Sequence, residues 1–520
     1  MAAMSIGLQW AKHNRTLLLL LLIVALASFL RIYHLGTESL WHDETASVYS
    51  STKSIYIMLG GSLEWQRQPP LYFLALKIWI YLFGDSETAL RSLSAILGIA
   101  SIPLTFLISQ KLFSNRVGLI ASFLSAISYF LISYSQEARG YAMLVFFTLL
   151  SFFILVLLIK YYTPGKWPFI AYFISNTLLI YTHYFGLFVV FAQIFYFILC
   201  NRYLRINKRY FWYVQIATAI VFLPWAVAFI IFSIPNSFSM GRPGIVALVD
   251  TLRDYSGYGV AGTWLMPIFI CLCLLGIVTW EKTCHRKQTD PAQIISIVKR
   301  RISFGYDALL LAVWLIFPIA VPFLISQIPL EITGIYRSRY TISAIMTFFI
   351  LASKGLNVFI TKTSLYFIFI IIILVTTFLS GVGLHAYYTT VHKEQWRDAV
   401  NLIQSRFQDE DVIVLNEAYF HMAFDYYSKG KLETQAVNNG EEAQKMHSLK
   451  VNGKQRLWFV QGPWGSTNTK QYLEEAFNND FLLFKEEFIG IEVYLYDLRS
   501  LFSFGDDSYE LAPSICLTTN

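Results

Sequence analysis

Leu40-Trp41-His42-Asp43-Glu44-Thr45 sets two adjacent carboxylates just beyond the first long apolar segment of the chain. Carboxylates beside hydrocarbon are costly to keep, and an ionisable residue that persists there is by default a functional candidate. Downstream, Gln68, Arg91, Glu137, Arg139, His183, Arg337, Arg339 and Tyr340 recur at the ends of apolar segments, on the side that charge counting assigns to the acidic pair. Two acids facing several guanidinium groups suit a transfer with a phosphate leaving group. A carboxylate takes the proton of an acceptor hydroxyl, while planar arginine forks bind phosphate oxygens pairwise and stabilise the charge that develops on departure. A sugar carbon in such a transfer passes through an oxocarbenium-like state, which a nearby carboxylate also favours.

Each residue also has a plainer reading. Arg31 and Arg91 sit at segment ends, where a snorkelling side chain needs no function. Glu137 and Arg139 can neutralise one another at a turn. His183 lies among Tyr181, Tyr184 and Phe185, the setting of an aromatic interface anchor. Arg337 and Arg339 are harder to explain away, since they lie on no cytoplasmic flank. Asp43 and Glu44 have no evident partner in the sequence, so function is the stronger reading for them. His42 could join them around a divalent ion, but neighbouring side chains diverge, so such a site needs a ligand from elsewhere. No cofactor is expected, and a divalent metal stays open. The chain has no glycine-rich phosphate loop, no Gly-x-Ser-x-Gly and no Cys-x-x-Cys; a nucleotide sugar is also absent from an outer membrane face, which favours a donor carried by a lipid.

The elements that must hold these residues are membrane spans. The chain is 56% hydrophobic and 14% charged, with a mean hydropathy of +0.52, far too apolar for a soluble globule. Its net charge of +7 falls in short basic clusters between apolar runs, the signature of membrane topology, so the partner is a lipid bilayer and not nucleic acid. The five cysteines show no paired framework. Lys12 and Arg15 precede an apolar run in which Ala25-Leu26-Ala27 resembles a cleavage site. A retained anchor is preferred over a removable signal peptide, with the N-terminus cytoplasmic and the acidic pair outside the cytoplasmic (inner) membrane.

Residues 69–83 are apolar but too short to cross, and letting them cross would move every basic loop from Lys111 to Lys362 outside. The predicted spans are 17–34, 88–109, 117–134, 140–159, 167–182, 184–200, 211–232, 263–280, 307–327, 340–360 and 364–384, about eleven. The expected fold is thus a polytopic α-helical membrane protein, residues 1–385, with an acidic first outer loop at 35–87 and a small extracytoplasmic α/β domain at 386–520. In that domain 394–407 and 471–477 read as helices, and 411–415, 456–461 and 491–497 as strands.

Ser39-Leu40-Trp41-His42-Asp43-Glu44, Gln68-Pro69-Pro70-Leu71-Tyr72, Phe83-Gly84-Asp85-Ser86-Glu87 with Arg91, and Ser135-Gln136-Glu137-Ala138-Arg139-Gly140-Tyr141-Ala142 follow one another in order. With Arg339-Tyr340 and Gln395-Trp396-Arg397, this series resembles the bacterial GT-C glycosyltransferases, closest to the protein O-mannosyltransferase-like enzymes and the lipid A aminoarabinose transferases. The resemblance implies a polyprenyl-phosphate-linked sugar donor, inverting transfer and no required metal; the acceptor is a lipid, a glycan or a protein, with no residue here choosing among them. It matches Asp43 to the catalytic acid, with Glu44 beside it, and puts Arg139 and Arg339 near the donor phosphate. Trp41, His42, Tyr141, His183, Arg337 and Tyr340 complete the expected substrate-binding set. Gln68 stands where relatives often carry a charged residue, with Arg67 next to it to supply the charge. A transporter of a lipid-linked glycan is the rival class, but transporters keep ionisable groups at mid-membrane and show repeat symmetry, neither of which this sequence displays. A non-catalytic scaffold is the third.

Overall fold

The computed structural model describes residues 2–58, 68–161, 165–204, 206–232, 241–281, 301–303, 305–328, 334–436, 454–463, 470 and 481–499. Arg67 and the helix expected at 471–477 lie outside them. The chain forms two compact units, Met1–Leu35 with Lys53–Thr389, and Gly36–Thr52 with Thr390–Asn520. The sequence reading leaves all of 35–87 with the membrane unit. The structure instead groups its first part with the C-terminal domain.

The first unit is mainly helical, with one short antiparallel strand pair at Thr279–Glu281 and Arg301–Ser303, and the eleven predicted segments fall largely on helix. Among the described residues eight helices are long and apolar enough to cross a membrane, which makes this a multi-pass membrane protein. Asn115–Ala126 and Tyr129–Ser135, bent by 60°, supply up to a ninth span. The predicted count of eleven is not reached among the described residues, because Trp167–Thr182 and Gly186–Cys200 have 16 and 15 residues. At about 1.5 Å per residue each falls short of a hydrocarbon core about 30 Å thick. Leu71–Phe83, with 13 residues, is shorter still.

Arg31 and Arg91 do not snorkel. Both are 1% exposed. Arg31 donates to the carbonyls of Ser125 and Ala126 at 3.1 Å each, supplying donors where the bent helix loses its own ladder. Arg91 donates to the Leu35 carbonyl at 3.0 Å. The Gln136 amide similarly donates to the carbonyls of Arg31 and Tyr33, at 3.2 and 2.7 Å. Deeper in the bundle, Tyr172 donates to Gln193, Gln193 to Ser151 and Ser151 to Asn176, interhelical polar contacts that hold where lipid removes the hydrophobic drive. Cys200, Cys271 and Cys273 are free thiols.

The second unit is built on a five-stranded sheet in the order Thr434–Ala436, Asp411–Leu415, Arg456–Gln461, Ile491–Asp497, Leu482–Phe488. The first two pairings are parallel and the last two antiparallel. Asp411–Leu415 is buried along its whole length, as a central strand covered on both faces must be. Trp396, Val400 and Ile403, on one stripe of the helix Trp396–Arg406, close the core with Phe420, Phe424 and Trp458. Buried Asp411 accepts from Arg456 Nε and Nη2 at 2.7 Å each and from Trp458 Nε1 at 2.8 Å.

Candidate active site

In the second unit, the acidic motif opens the helix His42–Thr52, with both acids in its first turn, where the helix dipole favours negative charge. Successive side chains on a helix diverge by about 100°, and here that divides the pair. The Asp43 side chain is 23% exposed, whereas that of Glu44 is 0% exposed and ion-paired at 3.3 Å to Lys393 Nζ. The Trp41 amide also donates to Glu44, at 3.4 Å. Glu44, expected beside Asp43 as a catalytic carboxylate, is thus enclosed within the protein. His42, expected to meet substrate, has its Nδ1 held by protein, 2.5 Å from Glu394 Oε1. Its ring meets Trp41 and Tyr419 edge-on, with centroids 4.9 and 5.5 Å away. Burial raises the Tyr419 pKa, with the charges of Asp43 and Glu394 adding to the shift.

The chain before this helix is tied down over a long sequence separation. Leu40 N–H donates to Tyr427 Oη at 2.6 Å, Arg397 to the Thr37 carbonyl at 2.6 Å, and His392 N–H to Glu38 at 2.7 Å. Glu394, Lys393 and Tyr419 were not singled out from the sequence. Their only signal was the nearby Gln395-Trp396-Arg397 motif.

In the first unit, three distant stretches meet. Tyr141 begins the helix Tyr141–Lys160; His183 ends Trp167–Thr182; Arg339 and Tyr340 lie in the 3-10 turn Ser338–Ala344. Ring centroids stand 5.9 Å apart for Tyr141 and His183, 5.6 Å for His183 and Tyr340, and 6.3 Å for Tyr141 and Tyr340. The Arg339 guanidinium lies 5.2 Å from the Tyr340 ring centre, within cation–π range. His183 Nδ1 accepts from Phe185 N–H at 3.2 Å, so the neutral ring carries its proton on Nε2. Burial lowers the His183 pKa to about 3, and the positive charges of Arg139 and Arg339 push the same way. The buried Nε2 finds no acceptor among the described residues.

Neighbouring elements fix this cluster. Tyr72, from the Pro-Pro motif, has its hydroxyl 3.3 Å from Ser94 Oγ, which donates to the Arg139 carbonyl at 3.2 Å. Helix Val246–Ser256 braces the arginine segment: Thr251 Oγ1 lies 2.6 Å from Tyr336 Oη, and Tyr255 donates to the Thr341 carbonyl at 2.5 Å. Asp254, on the same helix and also missed in the sequence, has its pKa raised by burial, against the hydrogen bond from Ser338. Gln68 lies half-buried at a bend, and Arg337 is exposed. Among the described residues no three His, Cys, Asp or Glu side chains gather as a metal site.

Residues 67–227 match the family described as dolichyl-phosphate-mannose-protein mannosyltransferase. A putative mannosyltransferase, YkcB of Bacillus subtilis (strain 168), is 29% identical over 177 residues, 31% of this chain and 24% of that protein. The matched part is therefore about a quarter of that relative's length. The crystal structure of ArnT from Cupriavidus metallidurans in the apo state superposes with a TM-score of 0.59 at 14% identity, covering 91% of this chain and 97% of that one.

The fold is that of the GT-C glycosyltransferases. The GT-C likeness extends to the archaeal oligosaccharyltransferase AglB from Archaeoglobus fulgidus, in complex with an inhibitory peptide and a dolichol-phosphate, with a TM-score of 0.54 at 11% identity over 93% of this chain and 74% of that one. The ArnT structure bound to undecaprenyl phosphate gives 0.58 at 13% identity, over 91% and 97%. In this chain that fold brings Tyr141, His183, Arg339 and Tyr340 into one cluster.

Proposed function

We propose that this chain is an inverting glycosyltransferase that moves a sugar from a polyprenyl phosphate to a lipid, glycan or protein acceptor on the outer face of the cytoplasmic membrane. The observation that carries this reading is the buried His183 Nε2–H, without an acceptor among the described residues and close enough to Arg139 and Arg339 to feel both charges. A buried donor left unmade is expensive, and two guanidinium groups beside it suit an anion with several oxygens, as a phosphodiester is. That neighbours in the GT-C fold are known with undecaprenyl phosphate and dolichol-phosphate supports the lipid carrier.

The roles divide by chemistry. Arg139 and Arg339 neutralise the departing phosphate, and neutral His183 donates to one of its oxygens without adding a third charge. Asp43, the accessible carboxylate, takes the proton of the acceptor hydroxyl as its oxygen attacks the sugar carbon, and its negative charge favours the oxocarbenium-like state. The N-terminus would be cytoplasmic, with the acidic loop and C-terminal unit outside. Purified protein in lipid nanodiscs, given labelled polyprenyl-phosphate sugars and envelope extract as acceptor, should release polyprenyl phosphate; absence of release with every donor tried would remove this reading.

A further inference from the structure

We propose that Glu394 and His42 form a proton relay behind Asp43, with Glu394 the positioning residue that sets the His42 tautomer; the relay rests on the transferase reading above. Glu394 is 8% exposed, and its carboxylate is turned almost entirely on the acidic motif. Oε2 accepts from the His42 backbone N–H at 3.1 Å and from Trp396 Nε1–H at 2.6 Å. Oε1 faces His42 Nδ1 at 2.5 Å. Ser39 Oγ donates to the Glu394 carbonyl at 2.5 Å. An ionised carboxylate only accepts, so Nδ1 carries a proton and Nε2 is the atom left to exchange one. Nε2 lies 3.7 Å from Asp43 Oδ1, a gap that a small rotation of Asp43 or one bridging water closes.

The step balances. The acceptor O–H bond breaks and its electron pair forms the new bond to the sugar carbon, while the carbon–phosphate oxygen pair leaves with polyprenyl phosphate. The proton goes to Asp43 and then to His42 Nε2. The imidazolium so formed is flanked by Glu394, and loss of a proton to water returns the site to its starting state.

A tether alone would work equally well with glutamine at position 394, and this separates the two roles. In Glu394→Gln the amide oxygen must keep the Oε2 place, because two N–H groups point at it. The NH2 group then faces Nδ1 and donates to it, which forces the His42 proton onto Nε2 and aims it at Asp43. The shape survives and the direction of proton flow reverses. The corresponding carboxylate-to-amide change in a Ser-His-Asp triad costs about 10⁴ in rate through the wrong tautomer.

The test measures polyprenyl phosphate release by the full-length wild type, Glu394→Gln, Glu394→Asp and His42→Gln in nanodiscs. Glu394→Gln should lose about 10²–10⁴ in kcat with the donor KM changed by less than about threefold, and its melting temperature should stay near wild type. Glu394→Asp, which restores the tautomer, should recover at least about tenfold of that loss. Wild-type-like kcat in Glu394→Gln, or no recovery in Glu394→Asp, overturns the relay while leaving the transferase reading intact. If Glu394→Gln does not fold, His42→Gln decides: a kcat loss at unchanged KM supports the relay, and near-normal kcat overturns it. Absence of release by the wild type is the different outcome in which the transferase reading fails and the relay with it.

Discussion

At the scale of single residues, the acidic pair divides into a partly exposed Asp43 and an enclosed, ion-paired Glu44, and mutations should test the roles proposed for each. Asp43→Asn keeps the shape but cannot take a proton, so turnover should fall by about 10²–10⁴ while polyprenyl-phosphate binding holds. Glu44→Ala leaves Lys393 nearly buried without its partner at 3.3 Å, and should cost about 3–5 kcal/mol of stability, read as lost melting temperature and yield; a stable, inactive Glu44→Ala would instead make Glu44 the base. Arg339→Ala should weaken binding of labelled polyprenyl phosphate, since it removes a contact made before the chemistry. His183 gives a pH signature. Its folded pKa is lowered to about 3 against about 6.5 unfolded, so the unfolded chain binds more protons between those limits. Its stabilisation is full above the upper limit and is lost as pH falls towards the lower, by up to about 1.4 kcal/mol per pH unit. His183→Gln should flatten that part of the melting profile between pH 7.5 and 5; an equally steep variant would mean that another group causes it. Asp43, Arg139 and Arg339 were legible in the sequence as candidates because charge near hydrocarbon needs a reason. Glu394 was not, since an acid at the start of a soluble domain is ordinary until a histidine 352 residues away meets it.

Among elements, the long apolar helices and the buried strands could be read because each carries one strong period, or none, over its whole length. The pair of helices around His183, expected as two crossings, has 16 and 15 residues, a shortness that hydropathy does not register because it follows apolar length and not the break. The edge strand Leu482–Phe488 escaped because it is mostly exposed and carries Lys485, Glu486 and Glu487, which leaves no apolar alternation to see. Helix Val246–Ser256, with 11 residues, lay hidden in a presumed loop although it braces the arginine segment. One element contact was equally invisible. Helices Gly259–Ile277 and Ile345–Thr361 touch backbone to backbone: a Cβ on Gly355 would stand 2.0 Å from the Leu272 carbonyl oxygen, and one on Gly276 2.2 Å from that of Leu351. Replacing a mid-helix glycine by alanine usually stabilises by about 0.5–1 kcal/mol. Here the sign should reverse, because the helices must part. Gly355→Ala should lower the melting temperature, and donor affinity with it, since Ile345–Thr361 directly continues the turn that carries Arg339 and Tyr340. A variant as stable as wild type would show that the two helices can separate at no cost.

For the whole molecule, the membrane class and the presence of a soluble α/β domain followed from composition, because the apolar fraction changes abruptly after the last long helix. What composition could not show is that the chain returns to its own beginning. The segment Gly36–Thr52 belongs with Thr390–Asn520, and contacts across more than three hundred residues leave no local trace. This division predicts the outcome of cutting the chain. Removing residues 390–520 keeps Asp43 but strips its helix of Glu394, Lys393, Tyr419 and Tyr427, the groups that fix where the carboxylate points. Loss of positioning alone can cost about 10² in rate, so the truncated protein, inserted in nanodiscs, should fall by at least that much in turnover. Arg139, His183 and Arg339 all lie in the remaining unit, so labelled polyprenyl phosphate should still bind. A scaffold whose outer domain merely holds a partner predicts the reverse, with residues 386–520 alone restoring a deletion strain. That fragment lacks Gly36–Thr52 and every residue of the His183 cluster, and should restore nothing.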